Sequence, residues 1–193
     1  LHTWQPDAYE QSPTAVTMVL SAVMVKMGLY GVMRWLMPLF PDAFAAHSNF
    51  VVILSVIGIL YASFIAIRQD DMKRLIAYSS IAHIGLMSAA LFANNEIGAQ
   101  GVLIQLFSHG VNVLGLWIIA DIIEQQTGTR SLKEMGGLAK QNPTLGILLV
   151  GFAFANIALP LTNAFVGEFL MFNSLFQFKP WTAAVAGVSV VLA

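Results

Sequence analysis

The sequence predicts an all-α, polytopic transmembrane helical bundle, and three observations carry that prediction. Of 193 residues, 58% are hydrophobic and only 10% are charged, where a soluble domain carries about 25% charged residues. The mean hydropathy is +0.75. Several apolar runs approach the roughly 20 residues that a helix needs to cross a bilayer. A soluble helical bundle is the alternative, but it needs wet helix faces that this composition does not supply. The net charge of −1 leaves no basic footprint for nucleic acid. The absence of cysteine excludes disulfides, thiolate-bound iron–sulfur clusters and a cysteine nucleophile. No signal-peptide pattern is present. The chain starts at Leu1 without Met and stops inside the apolar run "VSVVLA", so it is expected to be part of a longer protein.

Five whole spans and one truncated span are expected in a single transmembrane domain over 1–193. The first covers about 14–36, after "SPT", a proline and hydroxyl pair suited to a helix start. The second covers about 49–67 and opens at Asn49. The third covers about 72–92, with Asp71 as its N-cap. The fourth covers about 97–126. The fifth starts at Pro143 and runs to about 178, too long for one straight crossing. The sixth starts at Pro180 and runs to 193. The opening "LHTWQPDAYEQ" reads as a polar connection, with Trp4 and Tyr9 suited to a membrane interface. The segment 127–142 reads as a polar loop with room for a short surface helix.

Alternate loops must face opposite sides. Segments 1–13, 68–74 and 127–142 then share one side and hold Arg68, Lys73, Arg74, Arg130, Lys133 and Lys140. Only Arg34 and Lys179 lie on the other. The excess marks the first side as cytoplasmic under the positive-inside rule.

Polar groups inside the spans need a reason, because a charge at mid-bilayer costs about 2.5–3.5 kcal/mol on insertion scales. Lys26 lies near the middle of the first span, too deep to reach an interface easily. It is either a structural lysine bonded to a neighbouring helix or a titrating group in a hydrated path, since a desolvated lysine can exchange a proton near neutral pH. In the fourth span Gln105, His109 and Asn112 share one helix face, bordered by Gly101 and Ser108. Imidazole can accept at one nitrogen and donate at the other, which suits a relay. Ser79 and His83 repeat the pattern in the third span. For each histidine an interhelical hydrogen bond is the alternative. His2 and His47 are assigned to loops. The histidines lack paired spacing or a nearby carboxylate, so no metal site is expected.

The fifth span carries "NIALPLTNAFVGEFLMF". Pro160 cannot donate to the helix ladder, and Thr162 and Asn163 can satisfy the freed groups. Interrupted membrane helices mark ion or substrate sites, because irregular backbone survives only against protein or water. Glu168 follows the break as an intramembrane carboxylate, and Gly167 beside it permits close helix approach. The alternative is a simple kink with Glu168 paired to one base. Lys73 and Arg74, beside Asp70 and Asp71, form a charge cluster whose default role is anchoring, with proton entry as the second reading. Lys26, His83, His109 and Glu168 together suggest a proton or cation wire.

The same stretches carry a family resemblance. "LHTWQPDAYEQSPTAVTMVLSAVMVKMGLYGVMRWLMPLFPDA", "DMKRLIAYSSIAHIGL", "QLFSHGVNVLGL" and "FVGEF" resemble the antiporter-like membrane subunits of respiratory complex I (NADH:quinone oxidoreductase), most closely the M type, chain 4. The match is collinear over essentially the whole chain. The family is kin to subunits of multi-subunit cation/proton antiporters. The resemblance implies a protein of about fourteen transmembrane helices built from two inverted repeats, with this chain covering about helices eight to thirteen and a broken helix near Pro160. It places Lys26 at the central lysine of helix eight. It matches His83 to the histidine after "AYSS", His109 to the "HG" pair and Glu168 to the acidic residue of "VGEF". Lys73 falls in the basic pair of "KRLIAYSS". Glutamate at 168 favours the M type, where related subunits usually carry lysine. Gln5 in "WQPDA" and "LPLTNAF" around the break depart from the family pattern.

The resemblance further implies proton translocation across a bacterial inner membrane or its organellar equivalent, coupled to redox chemistry in other subunits, with the other membrane subunits of the complex and the lipid bilayer as partners. No cofactor is expected in this chain; NADH, FMN, iron–sulfur clusters and quinone would sit in partner subunits. A subunit of a sodium/proton antiporter, or a membrane spacer that conducts nothing, are the rival readings.

Overall fold

The computed structural model describes residues 2–192; residues 1 and 193, the two ends of the expected domain, lie outside the described residues. The elements in order are α1 (Trp4–Gln11), α2 (Thr14–Leu39), α3 (Pro41–Ile67), α4 (Met72–Phe92), α5 (Glu96–Thr127), α6 (Leu138–Gln141), α7 (Pro143–Asn156), α8 (Asn163–Phe178) and α9 (Pro180–Leu192). The four helices α2 to α5 are long and apolar enough to cross a membrane.

Local chemistry sets the ends of these helices. Asp71 accepts from the Arg74 N–H at 3.0 Å to start α4, and Asn95 accepts from the Gly98 N–H at 2.8 Å to start α5. Pro41, Pro143 and Pro180 each open a helix, where a missing N–H costs nothing. Gly128 ends α5 at φ 71°, a left-handed position that suits glycine.

Several helix bounds differ from the sequence reading. Helix α3 starts at Pro41, well before Asn49, because the polar run around His47 and Ser48 is helical: Ser48 bonds the Phe92 carbonyl, and His47 sits one turn from the Ala43 carbonyl it contacts at 2.9 Å. His47 is therefore helical and not in a loop. The opening connection contains α1. Tyr9 leaves the expected interface for the interior, where it is 1% exposed and meets Trp117 edge-on with ring centroids 5.9 Å apart.

Helix α4 is the centre of the bundle: 67% of its apolar window is buried, against 22% for α2. Small residues make this possible. Ala82, Ala89 and Ala90 are buried along α4, and a Cβ on Gly85 would stand 2.8 Å from Ile59 of α3. In a membrane, where lipid competes for apolar contact, such close approach supplies the packing. The outer faces carry exposed Phe50, Ile57, Phe64, Phe107 and Ile147, as lipid-facing helices do.

At one end, α1 and the segments 68–71 and 128–137 lie together. Asp70 and Leu132 pair through their backbones at 2.8 Å, and Met72 donates to the Arg130 carbonyl at 3.1 Å. This basic end is the reference for the site below.

Candidate functional site

Helix α2 is not uniformly α-helical. Leu20–Met24 and Val32–Leu36 are wide π-type stretches flanking Lys26. Lys26 is 5% exposed, and its ammonium donates to the Ser21 carbonyl in the first wide stretch. The neighbouring α5 comes close here: a Cβ on Gly110 would lie 3.1 Å from the Ala22 carbonyl. That contact seats α2 beside His109. His109 lies within electrostatic reach of Lys26 and His83.

Helix α4 supplies His83. Its Nδ1 lies 2.8 Å from the Ser79 carbonyl, and its Nε2 lies 3.0 Å from the Asn156 carbonyl and 3.3 Å from Glu168 Oε1. The two carbonyls are acceptors, and a neutral imidazole donates at one nitrogen only, so a neutral ring leaves one of them unmet; the Glu168 carboxyl lies at the same edge of the ring as the Asn156 carbonyl. The His109 ring is 4.9 Å from the His83 ring, centroid to centroid. His109 is 1% exposed, and neither of its nitrogens has a hydrogen-bond partner among the described residues. Gln105 Oε1, Ser80 Oγ and Asn156 Oδ1 are likewise buried and unpartnered. Each such group costs about 1–3 kcal/mol when nothing satisfies it.

The interruption that the sequence located at Pro160 builds the other wall. The chain leaves α7 after Asn156 and enters α8 at Asn163, with Ala158 at φ 51° and Leu161 at φ 81°. Left-handed non-glycine residues are strained, and they hold only where the surroundings fix them. The fixing bonds are visible. Thr162 Oγ1 donates to the Leu159 carbonyl at 2.7 Å. Ser108 of α5 donates to the Asn163 carbonyl at 3.0 Å. The last carbonyls of α7, which have no partner within that helix, are taken by Asn112 Nδ2 on Ala155 at 2.9 Å and by His83 on Asn156. The negative end of the α7 dipole thus faces an imidazole.

Glu168 is 4% exposed and accepts from Gln105 Nε2 at 3.3 Å. Gly167 permits that approach, since a Cβ there would be 2.7 Å from Gln105 Oε1 and 3.1 Å from the Gln105 backbone nitrogen.

The structure therefore joins His83, His109 and Glu168 in one buried group, with Lys26 beside it but hydrogen-bonded within its own helix. Lys73 lies elsewhere, at the basic end. Its ammonium meets Glu124 at 2.6 Å, and Glu124 also takes Arg130 at 2.5 Å. The expected partners Asp70 and Asp71 are used differently: Asp70 accepts from Ser131 at 2.7 Å, and Asp71 caps α4. Sequence reasoning missed Asn156, which touches both Ser79 and His83. An amide one turn before a helix-breaking proline was the available signal.

These features define a multi-pass helical membrane protein with a broken helix and a buried row of ionisable groups. The chain belongs to the NADH:quinone oxidoreductase/Mrp antiporter transmembrane family, whose model matches residues 1–193. It is 42% identical over 192 residues to NADH-quinone oxidoreductase subunit M of Rhodobacter capsulatus, covering 100% of this chain and 38% of that protein. It is 37% identical over 193 residues to the subunit M of Escherichia coli K12, again covering 100% of this chain and 38% of the relative. Among solved structures, a chain of respiratory complex I from Thermus thermophilus with bound NADH superposes with a TM-score of 0.94 at 31% identity, covering 100% of this chain and 41% of that one. A chain of the membrane-bound sulfane sulfur reductase, an archaeal respiratory membrane complex, gives 0.91 at 25% identity over 98% of this chain and 39% of its own length. The chain thus spans well under half of the relatives it matches.

Proposed function

We propose that this chain is the proton-conducting part of an M-type antiporter-like subunit of a NADH:quinone oxidoreductase. The names of the relatives support the assignment. The observation that carries the mechanism is the adjacency of Lys26, His109, His83 and Glu168 in the apolar middle of the bundle. Lys26 holds a proton in the apolar interior. His109, unbound by any fixed protein group, passes it on through bridging water. His83 and Glu168 form the pair that takes it toward the end of the bundle opposite the basic one. Lys73 anchors the basic end beside the entry side.

Redox chemistry belongs to partner subunits, which hold the NADH, FMN, iron–sulfur clusters and quinone. Their turnover drives this chain by shifting charge and packing near Lys26. Neighbouring membrane subunits and the lipid bilayer are its partners.

The test is Lys26→Ala in the whole complex reconstituted into vesicles, with proton uptake and electron transfer followed together. Pumping is expected to disappear while electron transfer is only reduced. A Lys26→Ala complex that pumps normally per electron overturns the reading and leaves the chain a spacer.

A further inference from the structure

Gln105 is buried on α5, one turn before His109, and Glu168 stands against it from α8. Two glycines set the distance. A Cβ on Gly101 would lie 3.0 Å from the Gly167 carbonyl oxygen and 3.0 Å from the Met171 nitrogen, and one on Gly167 would lie 2.7 Å from Gln105 Oε1. The two backbones therefore meet directly, and the Gln105 amide is pinned between Gly167 and the Glu168 carboxyl.

That amide is used at one end only. Its Nε2 donates to Glu168 Oε1 at 3.3 Å, while its Oε1, equally buried, has no hydrogen-bond partner among the described residues. Half a turn about the last side-chain bond exchanges an oxygen for a nitrogen of nearly the same size, so it needs no free space. Either orientation sets one polar atom on Glu168 and leaves the other bare. The carboxyl decides between them: a carboxylate only accepts, whereas the protonated acid donates.

Glu168 Oε1 also lies 3.3 Å from His83 Nε2. When a protonated His83 ring gives its Nε2 proton to that oxygen, an N–H bond breaks, an O–H bond forms, and both groups become neutral. The new O–H points back at the ring nitrogen unless a second acceptor is offered. Gln105 with its oxygen turned inward is that acceptor.

We propose that Gln105 is the positioning residue of Glu168, its amide turning over with the protonation of that carboxyl: nitrogen inward on the carboxylate, oxygen inward on the acid. The inward oxygen holds the proton away from His83 until it leaves Glu168. This purpose rests on the proton-conducting reading, whereas the turnover of the amide does not. The titratable neighbours are His83 on α4, in contact with Glu168, and His109 on α5, whose ring centroid is 4.9 Å from that of His83; Lys26 on α2 is within electrostatic reach of His109.

The experiment uses the intact complex in lipid vesicles, with glutamine isotope-labelled at the side-chain carbonyl, and acid–base infrared difference spectroscopy. The band lost in Glu168→Gln marks the protonated carboxyl. As that band rises, one glutamine carbonyl is expected to move to lower frequency because it gains a hydrogen bond, and this movement is expected to vanish in Glu168→Gln. It is read without altering Gln105 and without reference to pumping, so this inference and the proton-conducting reading fail separately. No Glu168 band, or a Glu168 band with no glutamine carbonyl following it, overturns the proposal. Two variants then assign the moving band and the role. Gln105→Met fills similar space without a hydrogen bond; it is expected to remove the band and to lower protons pumped per electron about fivefold, the scale of one net hydrogen bond. Gln105→His carries both a donor and an acceptor and is expected to pump better than Gln105→Met, although it fits the space less well. A band that persists in Gln105→Met, normal pumping in Gln105→Met, or pumping in Gln105→His no better than in Gln105→Met each overturns the assignment.

Discussion

The basic end and the middle of the bundle treat charge in opposite ways. At the basic end several charges meet fixed partners: Lys73 and Arg130 share Glu124, Arg74 holds Asp7 and Glu10, and Asp70 accepts from Ser131. Apart from Lys73, which is 5% exposed, these groups sit in partly wet surroundings, where a pair is worth little and the network mainly fixes loops to helices. In the middle, one ring has no fixed partner and Gln105 is half satisfied. Charge that is fully matched has nowhere to go. Charge held among unfilled donors and acceptors in a dry interior can be moved by a small change in its neighbours, because the low dielectric magnifies that change.

Substitution separates the two regions, and the largest effect belongs to the middle. Glu168→Gln keeps the shape but removes the ionisable group that faces His83, so proton pumping by the reconstituted complex is expected to fall by about 10²-fold, the scale lost with a positioned proton-transfer group. Thermal stability should change far less. Near-normal pumping in Glu168→Gln erases the contrast between the regions.

Gly167→Ala comes next. Alanine gains up to about 1 kcal/mol of helix propensity, but its Cβ meets the Gln105 backbone nitrogen at 3.1 Å, which cannot retreat without moving α5. Overpacking of this kind costs about 1–3 kcal/mol, so a lowered Tm of the purified complex is expected, together with reduced pumping. A Tm that rises shows that α5 and α8 yield easily.

Lys73→Ala is a smaller test. It leaves Glu124 with Arg130, and Glu124 is partly exposed. The expected loss is about 1–2 kcal/mol in the stability of the basic end, read as faster proteolysis of the segment 127–142. Pumping should stay within about twofold; a collapse comparable to that of Glu168→Gln moves Lys73 into the relay.

The smallest effect concerns acid. The Ser131 hydroxyl, helped by the Lys133 backbone N–H and its charge, holds the Asp70 carboxyl below its ordinary value. A depressed folded-state pKa gives stability that is fully present above the unfolded value and lost as pH falls through the folded one. Proteolysis of 127–142 should therefore quicken only in acid below the ordinary aspartate range. Ser131→Ala should shrink that pH step, leaving the part that Lys133 supplies. A step unchanged in Ser131→Ala assigns it to another group.

How much of this was legible beforehand follows from the range of each interaction. Helix existence was legible because apolar length is a local property. The start of α3 was not, since Ser48 becomes acceptable inside a helix only through Phe92, 44 residues away. Lys26, His109 and Glu168 stood out because ionisable groups in apolar runs are conspicuous wherever they pack. The cage around His83 did not, because its acceptors come from Asn156 and Glu168 on a different part of the chain. The break was visible in Pro160, yet which carbonyls it frees, and which side chains take them, depends on the register of α5 against α7.

That break has a mechanical side. No continuous ladder of backbone bonds ties Asn156 to Asn163, so α7 and α8 behave as two levers on a short hinge. The two oxygens competing for one edge of the His83 ring ride on different levers. A tilt of either arm would trade one oxygen for the other without bending a helix, but it would have to carry the bonds from Ser108 and Asn112 of α5 with it.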